Sequence, residues 1–148
     1  MARRYKKMPS VGAVMTSFPY FIEADDTVAK VEHLMDEHNI RHLPVQEQGK
    51  VVGIVSERDL HHLVKRAASR EEKSKVKARK IMVGEPYAVA FNTPLNEVVS
   101  EMAKRHIGSA IVLRRGKLVG ILSANDICRI LAEYLESLFA PAGGDDAA

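Results

Sequence analysis

Twice in this chain a hydroxyl and a carboxylate stand three residues apart at the end of an apolar run: Ser56 and Asp59 after Gly53-Ile54-Val55, and Ser123 and Asp126 after Gly120-Ile121-Leu122. Each apolar run predicts a strand, and the polar residues after it predict a helix start. An ionised carboxylate only accepts hydrogen bonds and so suits the paired hydroxyls of a sugar, while the free amides of a helix start suit an anion. The same spacing also serves a purely structural end, because Ser-x-x-Asp at a helix start is a capping arrangement. Other chemistry is scarce. The sequence shows no nucleophile beside a base, no catalytic carboxylate pair and no Gly-rich loop of the NTPase kind, so a non-enzymatic role is expected. His33 and His38 stand five apart, and no group of histidines reaches a metal-ligand spacing, so no metal site is expected either.

Length and composition narrow the class. With 148 residues, 46% of them hydrophobic, the chain can build one compact domain or two small intimate ones. No apolar run reaches the roughly 18 residues that cross a bilayer. The basic start Met1-Ala2-Arg3-Arg4-Tyr5-Lys6-Lys7 lacks the apolar segment of a secretory signal, so a cytoplasmic location is expected. The one cysteine, Cys128, falls among Ile127, Ile130 and Leu131 and is expected to be a buried, inert thiol. Net charge is +3, unevenly placed: residues 65–80 hold eight basic groups against Glu71 and Glu72, and residues 1–10 hold four basic groups and no acid. That segregation favours an anionic partner. Nucleic acid is the lesser alternative, since the basic stretch has no aromatic residues and no DNA-reading motif flanks it.

The elements that must carry the two junctions follow from periodicity. Tyr20-Phe21-Ile22 predicts a short strand and Asp25-Asp26 an N-cap. A helix is expected over about 27–38, with Val28, Val31, Leu34 and Met35 on its apolar stripe and Asn39 as its breaker. Leu43-Pro44-Val45 predicts a strand whose proline suggests an edge or a strand start. Glu47-Gln48-Gly49-Lys50 supplies a hairpin turn into the strand Val51 to Val55, and a helix follows Ser56. The order strand, helix, strand, strand, helix then recurs. Residues 14–62 align with 81–129 without a gap, at a constant offset of 67 that keeps Pro19 over Pro86, Gly49-Lys50 over Gly116-Lys117 and Asp59 over Asp126. In the second unit Thr93 is expected to cap a helix that starts at Pro94. The last helix carries Ile127, Ile130, Leu131, Tyr134, Leu135 and Leu138, more apolar surface than one face of a small domain needs.

With the lead-ins Val14-Met15-Thr16 and Ile81-Met82-Val83, the segment Ile40-Arg41-His42-Leu43-Pro44-Val45 and both Gly-x-x-Ser-x-x-Asp junctions, the chain resembles a tandem pair of cystathionine-beta-synthase (CBS) domains, the arrangement often called a Bateman module. The resemblance implies a mixed α+β or α/β fold: two repeats packed around a pseudo-two-fold axis. The corresponding division is a basic flexible arm (1–10), repeat 1 (11–68), a basic connection (69–77), repeat 2 (78–138) and a tail disordered by composition (139–148). It further implies clefts between the repeats for an adenosine-containing regulatory ligand, AMP, ADP or ATP ahead of S-adenosylmethionine. Asp59 and Asp126 would accept from ribose hydroxyls, and Ser56 and Ser123 would lie near phosphate or ribose. Thr16 would touch ligand, and backbone near Ile22 and Val89 would read the adenine edge. Arg58, Arg41 and His42 would face phosphate at the first site, against Asn125, Gly108 and Ser109 at the second, so the two sites would bind unequally. Homodimers through the helices and a separate regulated protein are implied as partners. A ligand-free interaction scaffold and a nucleic-acid-associated protein are the alternatives.

Overall fold

The computed structural model describes residues 7–64 and 70–139. Residues 1–6 of the expected arm, the expected repeat boundary at 68–69 and residues 140–148 of the expected tail lie outside them. The order begins with α1 (Val11–Val14), β1 (Thr16–Ser17), β2 (Ile22–Glu23), α2 (Val28–His38), β3 (His42–Glu47), β4 (Lys50–Ser56) and α3 (Glu57–Val64). It continues with α4 (Arg70–Lys75), α5 (Ala78–Ile81), β5 (Val83–Gly84), β6 (Ala88–Ala90), α6 (Leu95–Arg105), β7 (Ser109–Arg114), β8 (Lys117–Ser123) and α7 (Ala124–Leu138).

The repeat is visible in backbone detail. α2 ends at Asn39 and α6 at His106, both left-handed (φ 50° and 53°), the conformation that turns a chain out of a helix. Both hairpins turn through a pair of positive-φ residues, Gln48-Gly49 and Arg115-Gly116, which matches the twist of the flanking strands. Val28, Val31 and Met35 on α2, and Leu95, Val98 and Met102 on α6, are buried at helical spacing against their sheets.

The two repeats are nevertheless not separate bodies. The sheets run β2-β3-β4-β5 and β1-β8-β7-β6, so each takes its fourth strand from the lead-in of the other repeat. Thr16 pairs with Ile121 and Ser17 with Gly120; Val83 pairs with Ile54 and Gly84 with Gly53. The short helices cross over with those strands. Val11 N donates to Thr93 O (2.8 Å) and Gly12 N to Phe91 O (2.9 Å), while Ala78 N donates to Asp26 O (2.8 Å) and Arg79 N to Ala24 O (3.0 Å). Val11 and Val14 are thus buried in the second core and Ala78 in the first. Burying one such valine stabilises the fold by about 1.5–3 kcal/mol. β4 and β8 pack against each other, so the pseudo-two-fold axis runs between them.

Three local expectations are corrected. The N-cap of α2 is Thr27, whose Oγ1 accepts from Lys30 N (3.2 Å). Asp26 instead closes the turn after β2, accepting from Glu23 N (2.9 Å). Pro94, extended at ψ 136°, is the N-cap of α6 and not its first residue, because Thr93 O is taken by Val11 and Pro94 itself bridges to Ser10. Pro44 lies inside the sheet: β3 is flanked by β2 and β4. Its equivalent, Ile111, donates its amide to Tyr87 O (2.9 Å), extending the β6 pairing to Ala88↔Ile111. Proline has no such donor, and β2 correspondingly starts one pair later, at Ile22↔Val45.

The exchanged lead-ins pack without room to spare at two glycines. A Cβ on Gly120 would stand 2.2 Å from Met15 Sδ, and one on Gly53 would stand 2.6 Å from Met82 Sδ and 2.9 Å from Val83 O. Gly120→Ala and Gly53→Ala are each expected to destabilise the fold by about 1–3 kcal/mol in urea unfolding. Adding Met15→Ala should recover part of the Gly120→Ala loss, so the double variant is less than additive. Met82→Ala should help Gly53→Ala less, since the Val83 carbonyl stays in the way.

Candidate functional site

Both sequence-predicted junctions form reciprocal caps. Ser56 N and Oγ donate to Asp59 Oδ2 (2.8 and 2.9 Å), and Asp59 N donates back to Ser56 Oγ (3.3 Å). Ser123 and Asp126 repeat this at 2.9, 3.0 and 3.2 Å. The capping and binding readings of the motif are therefore compatible, since the cap engages one carboxylate oxygen and fixes where the other stands. Asp59 Oδ1 has no partner among the described residues.

A cleft of about 570 Å³ opens beside Asp59. One wall is repeat 1: Ser56, Arg58 and Asp59 from the β4–α3 junction, with Arg41 and His42 at the entry to β3. The facing wall comes from repeat 2, with Arg105, His106, Gly108 and Ser109 between α6 and β7. Ile54 and Val83 give an apolar surface, and Pro86-Tyr87 an aromatic side. A smaller cavity of about 290 Å³ is also lined by Asp59, with His62 and Lys80. Arg41 sits 3.5 Å from Glu57, while Arg105 bonds Glu101 (2.8 Å) and lies 4.6 Å over the Tyr87 ring. Arg58 has no ion-pair partner among the described residues, which leaves a cation beside an open carboxylate.

The sequence-based expectations are redistributed by this geometry. Arg41-His42 and Gly108-Ser109 do not belong to opposite sites. The entries to β3 and β7 converge at the pseudo-two-fold axis, and a Cβ on Gly108 would stand 3.2 Å from His42 Nε2. Thr16 joins Asp126, because β1 pairs with β8: its Oγ1 donates to Asp126 Oδ1 (3.2 Å) and Oδ2 (3.3 Å). The equivalent Val83 lines the Asp59 cleft. Ile22 is fully buried in the first core and Val89 packs on the second, so their side chains are core residues and neither is part of the wall of the Asp59 cleft. Cys128 is exposed, because α7 turns it away from the stripe that Ile127 and Ile130 press onto the second core. In the basic stretch 65–80 Lys73 pairs with Glu32 (2.7 Å), Lys77 with Asp25 (3.7 Å), and Arg79 with Asp25 and Glu47. Three of the eight basic groups of residues 65–80 are thus met by acids of repeat 1.

Sequence reasoning missed Tyr87, Arg105 and His106. The signal lay in the offset itself. Tyr20 and His38, their rings stacked at 3.7 Å, are the counterparts of Tyr87 and Arg105, so the tyrosine ring is covered by the residue at the same offset position in each repeat.

A family model described as CBS domain matches twice, over residues 11–66 and 78–133, more than half of the chain. Among solved structures, the AcuB protein of Vibrio cholerae is 30% identical, with TM-score 0.78 over 89% of this chain and 96% of that one. The CBS domain pair of protein MJ0100, solved with 5′-methylthioadenosine and S-adenosyl-L-methionine, is 22% identical, with TM-score 0.76 over 86% of this chain and 99% of its own. CBSX2, solved with AMP, is 24% identical, with TM-score 0.73 over 86% of this chain and 98% of its own.

Burial holds His42 below the ordinary histidine range. The Asp59 carboxylate opposes that shift, Arg41 adds to it, and Glu57 opposes it. A histidine depressed in the fold binds its proton more readily when unfolded, so stability rises with pH from the folded value up to the unfolded one near 6.5. His42→Gln should flatten the stability profile below about pH 6.5. In an NMR titration, Asp59→Asn should move the His42 midpoint lower still, because it removes the charge that favours imidazolium.

Proposed function

The chain belongs to the CBS-domain family, as two such domains in tandem, and from that premise we propose that it is a non-catalytic sensor of adenosine-containing ligands. One observation carries the reading: the cleft that faces Asp59, Arg58 and His42 of repeat 1 with Ser109 and Arg105 of repeat 2. The open Asp59 oxygen suits a ribose diol. Arg58 and the neighbouring basic groups suit phosphate, and Ile54, Val83 and Tyr87 suit the faces of a purine. That chemistry favours AMP, ADP or ATP over a cationic sulfonium ligand. The solved relatives with AMP and with S-adenosyl-L-methionine support the adenosine part.

Because both walls contribute, a ligand held across them has a different affinity for each relative placement of the repeats. That difference is what lets binding shift a conformational equilibrium. The output is a changed affinity for a separate regulated protein. Two copies pair through α7, where Leu131, Tyr134, Leu135 and Leu138 are exposed in one stripe. Among the described residues no helix is long and apolar enough to cross a membrane.

Calorimetry with AMP, ATP and S-adenosylmethionine tests the ligand. Asp59→Ala is expected to weaken nucleotide binding about tenfold or more, the loss of a charge-assisted hydrogen-bond acceptor. Affinity untouched by both Asp59→Ala and Asp126→Ala would overturn the site. For the pairing, Leu131→Glu with Leu135→Glu should halve the mass seen by sedimentation; an unchanged mass places the interface elsewhere.

A further inference from the structure

The two hairpin ends share a backbone but not a charge pattern. In repeat 1 Glu47 stands opposite Lys50 across the turn, and Arg79 bonds both Glu47 and Asp25. In repeat 2 Arg114 stands opposite Lys117, with Arg115 between them in the turn. The 67-residue offset sets Arg114 over Glu47, Arg115 over Gln48, Asn92 over Asp25 and Gly12 over Arg79, while Lys117 keeps the base of Lys50. Five positions that hold two acids and two bases at one end thus hold three bases and no acid at the other. Like charges directly opposite on one face of a hairpin are about 5 Å apart at Cβ and destabilise it. Arg114, Arg115 and Lys117 are exposed, and none has a carboxylate partner among the described residues. Arg114 lies instead 5.1 Å over the Phe91 ring. Phe91 N donates to Leu113 O and Phe91 O accepts from Gly12 N, so the hairpin, the turn before α6 and the lead-in to α1 meet at this end. Residues 1–22, 86–96 and 106–125 contain no acid.

A like-charge pair held in register, with no acid to relieve it, is complementary to an anion brought from outside. We propose that the hairpin end of repeat 2 is a docking surface for an acidic segment of the regulated protein, whose carboxylates enter between Arg114 and Lys117. A carboxylate there relieves the repulsion, and the guanidinium fork can receive it through two parallel hydrogen bonds. The state of Phe91 favours an acidic protein over a nucleic acid. Its edge faces Gly12, where a Cβ would stand 2.2 Å from the ring, and its face carries Arg114, so the ring is not free to stack on a base. None of these residues lines the Asp59 cleft, so docking and nucleotide binding use separate surfaces. The proposal rests on the sensor reading above only in taking the docked protein to be the regulated one, and adds the chemistry that recognises it.

Fluorescence anisotropy with labelled oligoglutamate, on the full chain at physiological salt, tests the surface. The native chain is expected to bind, and Arg114→Glu with Lys117→Glu to abolish binding. Arg114→Glu alone recreates the pairing of Glu47 with Lys50, so it should weaken binding about tenfold while the melting temperature holds or rises, which separates recognition from folding. Lys75→Glu with Lys104→Glu changes the net charge as much as the double reversal, at exposed positions elsewhere, and should leave affinity within about twofold. Equal loss in that control, or no binding by the native chain, would overturn the docking surface. Homopolymeric RNA bound more tightly than oligoglutamate, and lost in the same double reversal, would overturn it as well and make this end a nucleic-acid surface. ATP calorimetry should read the same for the native chain and the double reversal. If the native chain binds oligoglutamate but no adenosine ligand, the sensor reading falls and the docking surface stands; in the converse case the docking surface falls alone.

Discussion

The architecture depends on one constraint: neither repeat can complete its sheet from its own consecutive residues. β4 needs β5, and β8 needs β1, and each of those strands lies across the chain from the hairpin it extends. The crossover hydrogen bonds from Val11, Gly12, Ala78 and Arg79 then pull a short helix into the opposite core. Two small cores, each too thin to be secure alone, are thereby made to fold as one unit. The glycines opposite Met15 and Met82 are the steric mark of that closure, since a strand can approach so near only where the facing residue has no side chain.

The same exchange makes the site. Had each lead-in stayed with its own repeat, Val83 would lie beside Asp126 and Thr16 beside Asp59. Instead the Asp59 cleft has an apolar lip and an open carboxylate oxygen, and the Asp126 junction a hydroxyl across its acid. The pseudo-two-fold axis also sets His42 against Gly108, so a side chain at position 108 would press on the imidazole. Burial there disfavours the imidazolium, although Asp59 and Glu57 both favour it. Desolvation outweighs those charges.

Much of the fold was legible in the sequence because it is written twice. The 67-residue offset carried the strand order, both hairpin turns and both helix caps after Ser56 and Ser123, and the structure follows each of them. What the sequence could not show is which unit each lead-in joins, because periodicity describes a segment's own face and says nothing of its partner. That blindness explains why Arg41-His42 and Gly108-Ser109 read as belonging to separate sites. Local rules failed where tertiary bonds overrode them. Thr93 cannot begin a helix cap while its carbonyl holds Val11, and Cys128 reads as core only if one ignores which side of α7 it is on. In the basic stretch the sequence counts charge along the chain but does not reveal the acids that meet it in space, as Glu32 meets Lys73 and Asp25 meets Arg79.

Pro44 leaves a further asymmetry, of rigidity and not of chemistry. Three residue pairs hold β6 to β7, but only two hold β2 to β3, and the missing bond is the one that Ile111 makes to Tyr87. A backbone hydrogen bond contributes about 1 kcal/mol to holding a strand in place. The segment from Tyr20 to Glu23 is thus the easier seam to part, and local opening, where amide protons exchange with water before the rest of the sheet yields, concentrates there. Its counterpart at Tyr87 borders the open cleft, so the firmer of the two edges is the one set against the Asp59 site.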